Sequence, residues 1–247
     1  MSELTGRKIL ITGAGSGIGL ATARVAIREG AKVAAVVLDD AQRAATAAAL
    51  PGTSIFALDL TDSNRRGGLV KEASLALGGL DGVAACAGIF IRKSALELTE
   101  AEWQAQIGVN LTATFFLCRD AIRHMLEHGT RGSIVAISSQ LGSVGHPSGA
   151  AYVATKAGIN GLVRSLALEV AARGIRVNAV GPGPLATAMT APVRADEAAR
   201  RAHLESIPMG RYGEPEEIAE TISFLLSHRS SFTTGSVVIA DGGHLAR

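Results

Sequence analysis

Apolar residues in this chain fall into short unbroken runs separated by helix-length stretches. The runs lie at 8–11, 32–37, 54–58, 82–85, 133–137, 176–180 and 236–240. They are rich in Val, Ile and Ala and show little polar alternation. Strands of that kind suit a parallel sheet covered on both faces, where neither face meets water. Helical patterns run between them, over 18–29, 40–50, 63–77, 100–127, 150–172 and 215–227. Strand and helix repeated in this way predict an α/β fold: a Rossmann-like, doubly wound parallel sheet of about seven strands with helices on both faces. No linker rich in Pro, Ser or charge divides the chain, so 1–247 reads as one domain. The stretch 181–206 is long and partly lacks a clear element. In such sheets, connections at the carboxyl ends of strands carry the site.

Composition supports this picture and removes several classes of function. Residues of the AVILMFWYC set make up 47% of the 247, and charged residues only 19%. The latter is below the usual roughly 25%, and with no Gly-x-y period it excludes disorder and collagen. Net charge is +2 with no Lys/Arg run, and aromatics are 4%, which argues against a nucleic-acid partner. No apolar run approaches the roughly 18 residues of a membrane span. Cys86 and Cys118 form neither a CxxC nor a metal-ligand spacing, which points to a reducing, cytoplasmic setting.

The 29 glycines are concentrated where chemistry is expected. Thr12-Gly13-Ala14-Gly15-Ser16-Gly17-Ile18-Gly19 follows the first strand and opens the first helix. Gly13 suits a tight turn, Gly17 admits a pyrophosphate close to the backbone, and Gly19 lets helix and sheet approach. The helix N-terminus adds free N–H groups and a positive dipole end. The spacing Gly13-x-x-x-Gly17-x-Gly19 differs from G-x-G-x-x-G, but its place between strand and helix favours dinucleotide binding over a merely flexible turn.

A second pattern is Tyr152-Val153-Ala154-Thr155-Lys156 near the start of a helix. Residues i and i+4 share a face, so phenol and ammonium project together. A free tyrosine has a pKa of about 10, and a nearby cation lowers it by roughly 1–3 pH units, giving a tunable proton donor and acceptor. Alone this spacing is weak, since exposed helices often carry both residues. Thirteen residues upstream, however, Ser138-Ser139 closes a strand whose carboxyl end faces the crevice. Asn110 lies in the middle of the long helical stretch, where Asn is unfavourable, and this marks a kink or a function.

Taken together, these motifs resemble the short-chain dehydrogenase/reductase family over essentially the whole chain. The cofactor signature stands at 12–19, and the acidic residue after the third strand at Asp59, followed by Leu60. The Asn-Asn-Ala-Gly motif appears as Ala85-Cys86-Ala87-Gly88, keeping only its Ala-Gly. The active-site set matches Asn110, Ser139, Tyr152 and Lys156, and Pro182-Gly183, Leu185 and Thr187 follow in order. The resemblance implies hydride exchange between a nicotinamide and a secondary alcohol or ketone, without a metal. It assigns Tyr152 to proton transfer and Ser139 to holding the substrate oxygen. Lys156 would lower the tyrosine pKa and bind the ribose, and Asn110 would hold a relay water. The cofactor would touch Gly13, Ser16, Gly17, Ile18, Gly19, Val37, Leu38, Asp59, Leu60, Ala87, Gly88, Tyr152, Lys156, Pro182, Gly183, Leu185 and Thr187. A homotetramer is implied too, with Leu117 and the stretch 162–168 as apolar helix faces.

Several choices stay open on the sequence. The position that reads the adenosine ribose is Val37, then Leu38, and neither is acidic or basic. Asp39 and Asp40 follow and would repel a 2′-phosphate, and Ser16 lacks positive charge, which favours NAD over NADP. Substrate would meet Ser139, Tyr152, Met189 and His146, although a solvated loop histidine is the plainer reading of the last. Cys86 and Trp103 read as packing residues, and Asp241 as a tie for the chain end or a subunit contact. A 3-oxoacyl thioester on an acyl carrier protein is the rival substrate, with Arg194, Arg200 and Arg201 as a basic rim. A non-catalytic dinucleotide-binding regulator is the alternative of another class, since fold does not guarantee activity.

Overall fold

A computed structural model describes residues 3–246. The strands are β1 (Lys8–Thr12), β2 (Lys32–Val37), β3 (Ser54–Ala57), β4 (Gly82–Ala85), β5 (Ser133–Ile137), β6 (Arg176–Pro182) and β7 (Val237–Ala240). They form a parallel sheet in the order β3-β2-β1-β4-β5-β6-β7. Each central strand feeds two cores, because successive side chains point to opposite faces. Leu10, Val83, Ile134 and Val177 enter the core under α3 (Ser63–Leu77), α5 (Ala113–Glu127) and α6 (Ala150–Val170). Ile9, Ile11, Ala84, Val135 and Val180 enter the core under α1 (Gly17–Arg28) and α9 (Pro215–Leu226). This is why the strands read as unbroken apolar runs.

Strand order reverses at β1, whose neighbours are β2 and β4. Such a reversal opens a crevice beyond the carboxyl ends of the strands. α2 (Asp40–Ala49) completes the first half of the sheet.

Two stretches differ from the sequence expectation. The helix expected over 100–127 is interrupted: α4 (Glu100–Gln106) passes into a π-helical segment (Ile107–Thr112) before α5 begins. Asn110 sits in this wider turn, its side chain turned to tertiary partners and its carbonyl taking the Thr114 hydroxyl at 2.8 Å. Widened turns of this kind arise where one extra residue is accommodated in a helix. The second stretch, 181–206, is more ordered than expected. β6 runs on to Pro182, and two short helices follow, α7 (Ala191–Ala195) and α8 (Glu197–Glu205). Pro192 lies in the first turn of α7, and Asp196 caps α8 by accepting from Ala199 N at 2.8 Å. No helix among the described residues is long and apolar enough to cross a membrane.

Candidate active site

A cavity of about 830 Å³ occupies the crevice, lined by the loop after β1, the ends of β2 to β6, α4, the π segment, α6 and the segment after β6. At one end lies the N-terminus of α1. Its N-cap residue, Ser16, makes no side-chain capping bond, whereas Asp39, Asp62, Thr99 and Asp196 all cap the helices they precede. The first-turn N–H groups of α1 are thus left to a ligand, and Ser16, Gly17, Ile18 and Gly19 all line the cavity. A helix start of this kind is a phosphate cradle. With a long cavity leading from it to a tyrosine, the residues present fit a nicotinamide dinucleotide.

The glycines divide by cause. Gly13 has φ +66, and a Cβ there would lie 2.9 Å from the Ala87 backbone; one on Gly19 would strike the Gly13 carbonyl, and one on Gly183 would lie 2.5 Å from Asp241 Cα. These three are required by the chain packing on itself, rather than by a cofactor alone. Gly17 is different: its φ is +50 and its nearest neighbour would be Thr187 Cγ2 at 3.8 Å, so only backbone conformation and an incoming ligand constrain it.

At the other end, Ser138 and Ser139 separate cleanly. The Ser138 hydroxyl is buried on α6, donating to Asn160 Oδ1 at 2.6 Å and Lys156 O at 3.1 Å. Ser139 accepts only the short turn bond from Leu141 N at 3.1 Å, and its hydroxyl acts on the Tyr152 phenol. Lys156 is buried, and its Nζ donates to Ile137 O at 2.7 Å and lies 5.4 Å from the Tyr152 ring centre. Burial pushes the phenol up to about 12, with Ser139 opposing, and pushes the ammonium down to about 8. The sequence led us to expect the cation to lower the tyrosine. In the structure desolvation wins, because both groups sit against apolar walls.

Asn110 is fully buried and outside the cavity lining. Its Oδ1 accepts from Ile89 N at 2.8 Å, and its Nδ2 donates to Ile89 O at 2.9 Å and Thr155 Oγ1 at 3.2 Å. The side chain therefore locks the turn after β4 against α6, with both Nδ2 protons engaged and one acceptor site of Oδ1 still open.

The remaining expected residues fall into three groups. Val37, Leu38, Asp59, Leu60, Ala87, Gly88, Pro182, Leu185, Thr187 and Met189 line the cavity. His146 does not; it packs edge-on against Phe90, half-buried. Asp39 and Asp40 do not line it either, since Asp39 caps α2 and Asp40 pairs with Arg43 at 3.0 Å. Cys86 lines the cavity half-buried, and burial pushes its thiol up to about 12, away from the reactive thiolate. Asp241 ties the chain end by accepting from Gly243 N and Leu245 N. Trp103 is half-exposed rather than packed inside. Among the residues that the sequence reading missed, Phe90, Gln42 and Thr155 make specific contacts. Phe90 stacks on Tyr152 with ring centres 4.4 Å apart. Gln42 lines the cavity and accepts from Leu38 N at 3.2 Å, and Thr155 holds Asn110. Phe90 stands two residues after the Ala-Gly motif, and nothing local marked its ring as a partner of Tyr152.

The profile of the family described as enoyl-(acyl carrier protein) reductase matches residues 13–244. A cis-4-hydroxycyclohexanecarboxylate dehydrogenase of Sinomonas cyclohexanicum is 43% identical, over 97% of each chain. A 3-oxoacyl-[acyl-carrier-protein] reductase of Thermotoga maritima is 39% identical, over 98% of each. A crystal structure from Agrobacterium tumefaciens, assigned as a 2-deoxy-D-gluconate 3-dehydrogenase with bound NADP, superposes with a TM-score of 0.90 at 36% identity, covering 99% of this chain and 98% of that one. With this architecture and cavity, the chain belongs to the short-chain dehydrogenase/reductase family, as an oxidoreductase using NAD or NADP.

Proposed function

We propose that this protein oxidises a cyclic secondary alcohol, and reduces the corresponding ketone, as a single-domain enzyme. The observation that carries the reading is the apolar wall of the cavity around Tyr152, to which Ile89, Val109, Leu185 and Met189 contribute. Apolar lining next to the proton-transferring phenol favours a compact carbocyclic substrate. The 43% identity to a dehydrogenase named for a hydroxycyclohexane acid supports it.

The cofactor, when bound, supplies the hydride donor and acceptor. Tyr152, protonated at neutral pH, gives its phenolic proton to the ketone oxygen and recovers it from the alcohol. Ser139 holds the same oxygen by a hydrogen bond. Lys156 binds the nicotinamide ribose, and Asn110 is a positioning residue that fixes the turn carrying Gly88 and Ile89. Met189, half-exposed at the cavity edge, meets the substrate. Ser16, Gly17, Ile18 and Gly19 hold the pyrophosphate, and Val37 and Leu38 flank the adenosine ribose.

NAD is the preferred cofactor in this reading, because Lys156 is the one cation among the cavity-lining residues and no guanidinium there meets a 2′-phosphate. Steady-state kinetics will give a lower KM for NAD than for NADP, and Val37→Asp will widen the gap; a tenfold preference for NADP would overturn this. The acyl carrier protein alternative is disfavoured by its own basic rim. Arg194 is spent on Thr187 O at 3.0 Å and Thr190 Oγ1 at 3.2 Å, and Arg201 approaches Glu197 at 3.5 Å. Cytoplasmic location fits two free cysteines, and a homotetramer fits the exposed Leu168 and Phe232.

The test is a panel of cyclic and open-chain alcohols and ketones, followed by absorbance of the reduced nicotinamide. Cyclic substrates should lead by at least tenfold in kcat/KM. Tyr152→Phe should abolish turnover while cofactor still binds, and equal loss of both would overturn the role given to Tyr152.

A further inference from the structure

Two buried amide side chains grip the segment that follows β4. Asn110, fully buried, accepts from Ile89 N at 2.8 Å and donates to Ile89 O at 2.9 Å. Gln106, the last residue of α4 and 1% exposed, accepts from Ile91 N at 3.1 Å. Two residues further on, Lys93 N donates to Ser148 O at 3.0 Å, in the loop before α6. Phe90 stands between the two gripped residues, so its backbone is held on both sides. Its ring packs on Tyr152 with centres 4.4 Å and planes 28° apart, and His146 closes on it edge-on at 6.0 Å. Stacked and edge-on contacts of this kind favour one relative orientation of the rings.

The contact matters because of what Tyr152 has to do. Its backbone is set by α6, where its carbonyl takes the Thr155 hydroxyl at 2.7 Å. Its phenol meets the Ser139 hydroxyl, and Lys156 Nζ lies 5.4 Å from the ring centre. A hydrogen bond at the tip still lets the ring turn about its long axis. A phenolic O–H keeps to the ring plane, so that turn decides the direction in which the proton can be passed. Proton transfer needs the donor within hydrogen-bond reach and aligned, and small misplacements of reacting groups are costly.

We propose that Phe90 is a positioning residue for this reaction: its ring, clamped through the gripped segment, fixes the plane of Tyr152 and so the line along which the phenol passes its proton. The role rests on Tyr152 as the proton-transferring group and adds the residue that aims it. Phe90 is not among the residues lining the cavity, so it acts through Tyr152. The same ring covers the phenol from water, in keeping with the rise of the phenol to about 12 on burial.

The chain has two tyrosines, Tyr152 and Tyr212, so in a Tyr212→Phe background the ultraviolet absorbance of phenolate reports Tyr152 alone. Phe90→Ala in that background opens the phenol to water and should bring its titration midpoint down by at least one pH unit, towards the ordinary value of about 10. Turnover is measured with cyclohexanol and with propan-2-ol, and NAD binding by calorimetry. Phe90→Ala should lose at least tenfold in kcat, with the NAD Kd within twofold of wild type. Phe90→Tyr, which restores a flat ring, should return kcat to within threefold of wild type. An unmoved midpoint, or kcat retained in Phe90→Ala, overturns the positioning role and leaves that of Tyr152 standing. A joint fall of kcat and NAD affinity that Phe90→Tyr does not repair also overturns it, since Phe90 would then serve the fold alone. If neither alcohol is turned over, the midpoint decides. Turnover retained in Tyr152→Phe would sink the proton-transfer reading, and the positioning role with it.

Discussion

Lys156 bears two opposed demands at once. It is buried to 3% exposure, and its only charge-assisted hydrogen bond in the structure runs to the Ile137 carbonyl. Burial therefore lowers its pKa from 10.5 to about 8, which is a stability statement as well as a catalytic one. Below pH 8 the folded and unfolded states are both protonated, and the folded state bears the full desolvation cost, about 3 kcal/mol for a shift of this size. Between pH 8 and 10.5 the folded state releases its proton first. The unfolded state then binds more protons, so stability rises with pH and the penalty is gone above 10.5. Lys156→Met removes this dependence. In urea unfolding of the cofactor-free protein, the variant should be the more stable below pH 8, and the wild type should gain on it up to pH 10.5. Parallel pH curves for the two proteins would refute this account. The same residue sets the limits of the sequence reading: its spacing from Tyr152 was plain, but which of two opposed effects governs the phenol depends on burial, which no spacing encodes.

The element that best separates folding from function is the turn between β1 and α1. Gly17 and Gly19, to which the motif gives different roles, also differ in the space around them. Alanine at Gly19 drives a methyl into the Gly13 carbonyl, so the turn must move and the fold loses about 1–3 kcal/mol. Alanine at Gly17 meets open space and costs only the left-handed conformation, about 1–2 kcal/mol. Its methyl faces the phosphate cradle, however, so the cofactor Kd should rise at least tenfold, read by calorimetry. Equal stability loss at both positions, with unchanged cofactor affinity for Gly17→Ala, would contradict this division. The turn also shows what was legible in advance. Strand, glycines and helix were readable because each is a local pattern. The π segment at Ile107–Thr112 was not, since it depends on Asn110 reaching Ile89, twenty-one residues earlier, and Thr155, forty-five residues later. Phe90 was missed for the same reason: nothing near it in sequence says that its ring lies on Tyr152.

Across the whole molecule, apolar surface remains where a monomer would hide it. Leu117, expected on an interface, instead lies in the core at 2% exposure. Leu168 on α6 is 85% exposed, and Phe232 is fully exposed. A Cβ on Gly235 would stand 3.4 Å from Ala167 Cβ, so the segment before β7 runs against the C-terminal half of α6, the helix that carries Leu168. β7 is the edge of the sheet and presents Ile239 at 38% exposure. An open edge strand beside exposed Leu and Phe is a liability in a monomer and the usual basis of an interface between copies. Replacing Leu168 by Glu places a charge on this face without touching the core or the active site, at little cost to an exposed helix position. Light scattering should show the wild type as a tetramer and Leu168→Glu as a smaller species, and Phe232→Ser should act in the same direction. Unchanged mass in both variants would show that the copies meet elsewhere. A drop in mass with kcat retained would show that each chain builds its own active site, as the cavity, formed within one chain, leads us to expect.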